Sequence, residues 1–250
     1  MKTRRDSSRG EANWLLAALP ESSYRRLIAQ SETIGLAYRE VLFEAGATID
    51  YAHFPQAGCL SMLTVMDDGN AVEVGTIGHE GMSGVSFVNL VESVPTKCIV
   101  QVDGSATRIP RVAFIAELQS SSELMGVMRR YAQVWTDQIG RYGSCNAVHS
   151  VEERCARWLV MTHDRVESDV LPLTQDFLAI MLGVRRTSVT LAASALQQAG
   201  LIDYTRGKIT VLNRQGLEDA ACECYPAMQA AYERLLPDGT SSAPGSKKPN

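Results

Sequence analysis

The chain has 250 residues, 45% hydrophobic and 21% charged, with a formal net charge of −4. That is enough for one large domain or two modest ones, with ample material for a core. The acidic balance excludes a protein that holds nucleic acid by charge over its whole surface, and no apolar run reaches the about 20 residues that a membrane span needs.

The first ten residues are basic and polar with no apolar stretch after them, so no secretory signal is expected and the reading is cytoplasmic. Residues 1–12 read as a disordered arm. Trp14, Leu15 and Ala18 suit one short helix, and Pro20 opens a second through Gln30. From Ile34 the pattern turns to short strands. Val41–Phe43, Tyr51–Phe54, Leu60–Val65, Val72–Ile77, Cys98–Val102 and Ala106–Ile109 alternate with turn signals at 55–58, 67–70 and 103–104. Such spacing predicts a jelly roll, or β-roll, over 13–119.

After a short helix from Arg111, Leu124, Met128, Tyr131, Trp135, Gln138 and Tyr142 follow at spacings of 4, 3, 4, 3 and 4. That is a coiled-coil seam, so residues 120–144 read as a dimerisation helix ended by Gly143 and Ser144. The alternative is an amphipathic helix packed on its own barrel. A further helix is expected over 150–165, and one continuous helix over 215–236 despite Pro226. Residues 237–250 read as a disordered tail.

Within 145–236, Thr174 to Leu212 carries the most specific signal. Thr174 can cap a helix, Ala179 is small, Gly183 suits a tight turn, and Leu178, Leu182, Val184, Val189 and Ala192 are apolar. A second helix then opens on Arg185-Arg186-Thr187-Ser188, with Thr190 beyond, and a hairpin carrying Arg206 and Lys208 follows. This is the order of a winged helix-turn-helix, whose second helix presents donors to phosphates and base edges. Five basic residues against one acid between Arg185 and Arg214 add a local basic face.

None of the six cysteines forms a CxxC pair, and no histidine cluster accompanies them. They read as free thiols in a reducing compartment; Cys222-Glu223-Cys224, the tightest pair, leaves a redox or metal sensor as the other reading. No metal or cofactor is expected. A cupin-like enzyme would show His-x-His with further ligands, whereas His53 and His79 stand alone, so no enzyme is expected.

The fold class is therefore α+β: β-roll, long helix, winged helix-turn-helix. In that order, the parts resemble the CRP/FNR family of bacterial transcription regulators, on Leu19-Pro20, Val41-Leu42-Phe43-Glu44-Ala45-Gly46, Phe54-Pro55-Gln56-Ala57-Gly58, the 78–84 loop and the 174–211 stretch. The resemblance implies a homodimer on a palindromic operator in double-stranded DNA, half-sites roughly 34 Å apart, with RNA polymerase and a small-molecule effector as further partners. By position it implies base reading by Arg185, Arg186, Thr187 and Thr190, with Thr174, Ser188, Arg206 and Lys208 also on DNA. Arg186 suits guanine O6 and N7. Leu191 stands where the family often has a second arginine, so a different operator is expected.

By the same resemblance, Glu73, His79, Glu80, Gly84, Val85, Thr96 and Lys97 are the effector-pocket candidates. Members that bind cyclic nucleotides have a Gly-Glu pair and a later Arg-Ser-Ala run. Here Gly84 is followed by Val85, and the later run reads Pro95-Thr96-Lys97. An unknown signal is therefore expected, with a cyclic-nucleotide-dependent activator as the alternative. The family's iron–sulfur members use an N-terminal cysteine cluster, but no cysteine precedes Cys59. Its haem-binding members use a histidine, for which His53 or His79 could serve.

Overall fold

The computed structural model describes residues 13–166 and 168–236. The arm expected over 1–12 and the tail over 237–250 lie outside them. Helices α1 (Trp14–Ala17) and α2 (Glu21–Ile28) lead into the roll. Asn13 pins that entry. Its side chain accepts from Leu16 N and donates to the carbonyls of Pro55 and Gly81.

Strands β1 (Glu32–Leu36), β2 (Val41–Phe43), β3 (Tyr51–Val65), β4 (Ala71–Ile77) and β5 (Thr96–Pro110) form one antiparallel sheet ordered β1-β5-β3-β4, with β2 also on β5. Two expected turns are in fact strand. β3 and β5 pair from Tyr51 opposite Pro110 to Thr64 opposite Thr96, crossing 55–58 and 103–104 with register shifts between Pro55 and Leu60. Proline and glycine here make bulges and do not end strands. A Cβ on Gly104 would lie 2.0 Å from the Ala57 carbonyl oxygen, so only glycine lets the strands approach this closely.

Helices α3 (Arg111–Ser120) and α4 (Ser122–Val148) follow. The expected break at Gly143 and Ser144 does not occur. An interior glycine costs a helix only about 1 kcal/mol, and burial of Tyr142 and Cys145 holds the last turns. The chain turns at His149. Ser150 then caps α5 (Val151–His163) in a capping box with Glu153.

The expected dimer seam also needs correction. Leu124, Met128, Tyr131, Trp135, Gln138 and Tyr142 are all buried within this one chain. Tyr131 Oη donates to Met82 O and accepts from Met82 N, both at 2.9 Å. Gln138 Nε2 donates to Thr76 O at 3.0 Å. Gly75 and Gly81 make room, since a Cβ there would meet Trp135 at 2.6 Å and Tyr131 at 2.4 Å. The tyrosines and the glutamine of the seam need polar partners, and the roll supplies them.

The C-terminal unit continues with β6 (Val170–Leu171), α6 (Gln175–Leu182), α7 (Arg186–Gln198), β7 (Ile202–Thr205), β8 (Lys208–Val211), α8 (Arg214–Asp219) and α9 (Cys224–Leu235). The single helix expected over 215–236 is two. Pro226 sits in the first turn of α9, where its missing N–H is no loss, so it starts a helix and does not interrupt one. Strands β6, β8 and β7 make a small sheet in that order. The second core cluster takes Leu63 and Ile99 from the roll, so the roll and the C-terminal unit share packing. No single helix among the described residues is long and apolar enough to cross a membrane.

Candidate nucleic-acid interface

Local chemistry builds the helix-turn-helix. Thr174 caps α6, its hydroxyl accepting from Phe177 N at 3.2 Å. Gly183 ends α6 at φ +62°, a conformation glycine adopts without strain. The axes of α6 and α7 differ by 105°. Phe177, Leu178, Leu182, Val189, Ala192 and Leu196 are buried between them and α5.

That burial leaves the opposite side of α7 open. Arg185, Arg186, Thr187 and Thr190 are exposed, and Ser188 is half-buried. Arg186 Nε lies 3.5 Å from Asp176, an exposed pair too weak to hold the guanidinium away from a ligand. Thr190 donates to Gln175 Oε1 at 2.9 Å, so its hydroxyl already has a partner on α6. The wing turn is Arg206 at φ +50° and Gly207 at φ +77°, as a type I′ hairpin requires. A Cβ on Gly207 would meet Thr174 Cγ2 at 3.6 Å. The wing tip, with exposed Arg206 and Lys208, thus stands beside the start of α6. All eight expected DNA-facing residues lie on this contiguous part of the C-terminal unit. Leu191, Ser194 and Gln198 lie on the same exposed side of α7. The expected base-reading set omitted them, although their spacing from Arg186 and Thr187 marks that face.

The effector-pocket candidates do not converge. Glu80 is buried and taken by Arg165, at 2.9 Å to Nε and 2.6 Å to Nη2. Burial would raise its carboxyl, but the Arg165 charge outweighs that and holds it below the usual range. Lys97 pairs with exposed Glu44 at 3.0 Å. Thr96 is its neighbour at the start of β5. His79 packs edge-on against Trp14, ring centroids 4.3 Å apart. His53 is buried against Ser83. Gly84 and Val85 open a 3-10 turn over Val85–Asn89.

Glu73 is fully buried where the roll meets α4 and α5. It accepts from Ser61 Oγ at 2.6 Å and Trp158 Nε1 at 2.8 Å. Glu73 and Glu80 therefore fasten the roll to the C-terminal unit. Trp158 of α5 and Arg165, just beyond its end, were missed as their partners, because nothing local links them to the strands.

The fold is a β-roll, a long helix and a winged helix-turn-helix, in that order. Residues 153–220 match the family model of the Crp-like helix-turn-helix domain. The chain shares its fold with a transcriptional regulator of the CRP/FNR family from Eubacterium rectale, described as putative, at TM-score 0.66 and 17% identity over 82% of this chain and 96% of that one. FixK2 from Bradyrhizobium japonicum matches at TM-score 0.65 and 14% identity, over 77% and 98%. The c-di-GMP-responsive regulator CLP from Xanthomonas campestris matches at TM-score 0.60 and 16% identity, over 77% and 99%. No curated protein sequence matches the chain. The chain thus carries a Crp-like helix-turn-helix domain over residues 153–220 and shares its overall fold with CRP/FNR-type structures.

Proposed function

We propose that this chain is a homodimeric regulator that places α7 in the major groove of a palindromic operator and answers to a small-molecule signal sensed through the roll. The carrying observation is the open face of α7 flanked by the cationic wing. Arg186 reads a guanine, Leu191 (73% exposed) offers apolar contact to a thymine methyl, and Arg206 and Lys208 hold phosphates. RNA polymerase and a cytoplasmic setting belong to the same reading. Glu80 is held by Arg165, and Lys97 by Glu44. That arrangement favours a signal other than a cyclic nucleotide.

Dimerisation is assigned to the exposed side of α4, opposite the buried seam. Gly126, Gln133, Gly140 and Ala147 recur there every seven residues, and a groove of about 770 Å³ opens beside Gly140 between α4 and α9. The small Gly126, Gly140 and Ala147 let a second α4 approach closely there. Gly140→Arg is expected to convert dimer to monomer in sedimentation velocity while leaving the fold intact. A dimer of unchanged strength would place the interface elsewhere.

Selection of bound sequences from random DNA, with and without cell extract, tests the whole reading; sequences without dyad symmetry would overturn the dimer. Arg186→Ala is expected to cost about 1–3 kcal/mol and to relax preference at one base pair. Uniform weakening across sequences would make Arg186 a phosphate contact only. Lys208→Ala is expected to lower the salt slope of binding by about one, with sequence preference kept.

A further inference from the structure

We propose that Cys145, His149, Cys222 and Cys224 form a tetrahedral zinc site that ties the end of α4 to the α8–α9 joint. Their ligand atoms all lie within 4.8 Å of one another. Cys145 Sγ is 3.5 Å from Cys222 Sγ, and Cys224 Sγ is 3.7 Å from His149 Nδ1. A tetrahedron with Zn–S of about 2.3 Å and Zn–N of about 2.0–2.1 Å has edges of about 3.6–3.8 Å. These two edges are thus spaced as ligands of one ion, and the Cys145 and Cys222 sulfurs lie far beyond the about 2.05 Å of a disulfide. Three soft sulfurs and an imidazole favour zinc over magnesium or calcium. The thiols are buried and four protein ligands complete the shell, so the site is closed and structural in type.

Two neighbouring features fit a metal. His149 Nε2 lies 3.0 Å from Glu223 Oε2. That contact fixes the tautomer and leaves Nδ1 free to ligate, the usual support for a zinc-bound histidine. Arg154 and Arg157 are 5% and 1% exposed, and the Nε of each has no partner. Their contacts are neutral, with the Leu182 carbonyl for Arg154 and with Met161 sulfur and the Tyr142 ring for Arg157. Buried cations need a compensating charge. Zn2+ with three thiolates and one neutral imidazole carries −1 beside them. Binding releases three thiol protons to solvent and changes no oxidation state.

Cys145 and His149 bracket the end of α4, where the chain turns into α5. Cys222 lies between α8 and α9, and Cys224 opens α9. An ion shared by both places fixes the joint between the long helix and the DNA-facing unit, so its binding energy is folding energy there.

The full chain, expressed with added zinc and purified without chelator or affinity histidines, should contain one zinc per chain by mass spectrometry of metals. Cobalt exchanged for zinc should give the visible bands of a tetrahedral thiolate site. Cys222→Ser should lose both, while Cys98→Ser, buried elsewhere, should keep both. Glu223→Gln should weaken zinc about 10–100-fold in competition with a chromogenic chelator. If Cys222→Ser fails to fold, stripping zinc from the parent and titrating it back gives the same readout, including a lowered thermal midpoint. A folded, metal-free parent that takes up no cobalt overturns the proposal. So does zinc retained by Cys222→Ser, or a native Cys145–Cys222 disulfide in non-reducing peptide mapping. Each outcome is read without DNA, independently of the operator experiments.

Discussion

Arg165→Met is expected to destabilise the chain by about 3–5 kcal/mol, read as a fall in the urea midpoint. The side chains of Arg165 and Glu80 are each only 7% exposed. The guanidinium gives two hydrogen bonds to Glu80 Oε1 and a third, at 2.5 Å, to the Met161 carbonyl. Without it, the Glu80 carboxylate keeps a bond from Gly78 N at 3.1 Å and no cationic partner. A buried charge that loses its partner suffers the desolvation cost that the pair had offset. Joint replacement with Glu80→Met should recover most of the loss, because a well-packed apolar pair removes both charges together. The double-mutant cycle should therefore show strong coupling. A single Arg165→Met variant within about 0.5 kcal/mol of the parent would mean that water reaches the pair. The pair also joins the 78–84 loop to the end of α5. Hydrogen exchange in α5 should accelerate in the single variant before global unfolding.

How far the sequence carries depends on the distance between cause and effect. Thr174, Gly183 and the Arg206-Gly207 turn act on their immediate neighbours, and each does in the structure what its chemistry demands. The expected seam of α4 had the right residues and period, because Leu124 to Tyr142 do form one apolar stripe. Its partner was misread, because heptad spacing cannot say whether a roll or a second helix covers it. Tyr131 and Gln138 were the clue, since both need hydrogen bonds that β4 and the 78–84 loop provide. Gly58 and Gly104 were taken for turns because positive φ and close strand crossing favour the same residue. Only the Cys222 and Cys224 half of the thiol cluster was legible, for a different reason. Cys145 and Cys222 meet only after α5, the helix-turn-helix and the wing have folded back on α4.

Glu73→Gln is expected to remove a pH dependence of stability worth roughly 3 kcal/mol between about pH 4.5 and 7. Burial pushes the Glu73 carboxyl up to about 7, against the bonds from Ser61 and Trp158 and the charges of Arg157 and Arg165. Once Glu73 holds its proton, the hydrogen-bond chain can reverse at Ser61. Ser61 Oγ lies within reach of both Glu73 Oε1, at 2.6 Å, and Gln101 Oε1, at 2.8 Å, yet has one proton to give. A protonated Glu73 can donate to Ser61, and Ser61 to Gln101. Gln101 Nε2 then donates to Thr162, and Thr162 to the Trp158 carbonyl. Every member is satisfied. The folded carboxyl thus holds its proton at pH values where the unfolded one has lost it. Stability from this group is fully present below the unfolded value, falls as pH rises through the window, and is flat above it. Glutamine mimics the protonated acid, with its amide donating toward Ser61 and its carbonyl accepting from Trp158. The variant should match the parent near pH 4.5 and exceed it at pH 8 in urea unfolding. Parallel curves for the two proteins would show that Glu73 ionises normally, with water at the joint between roll and α5.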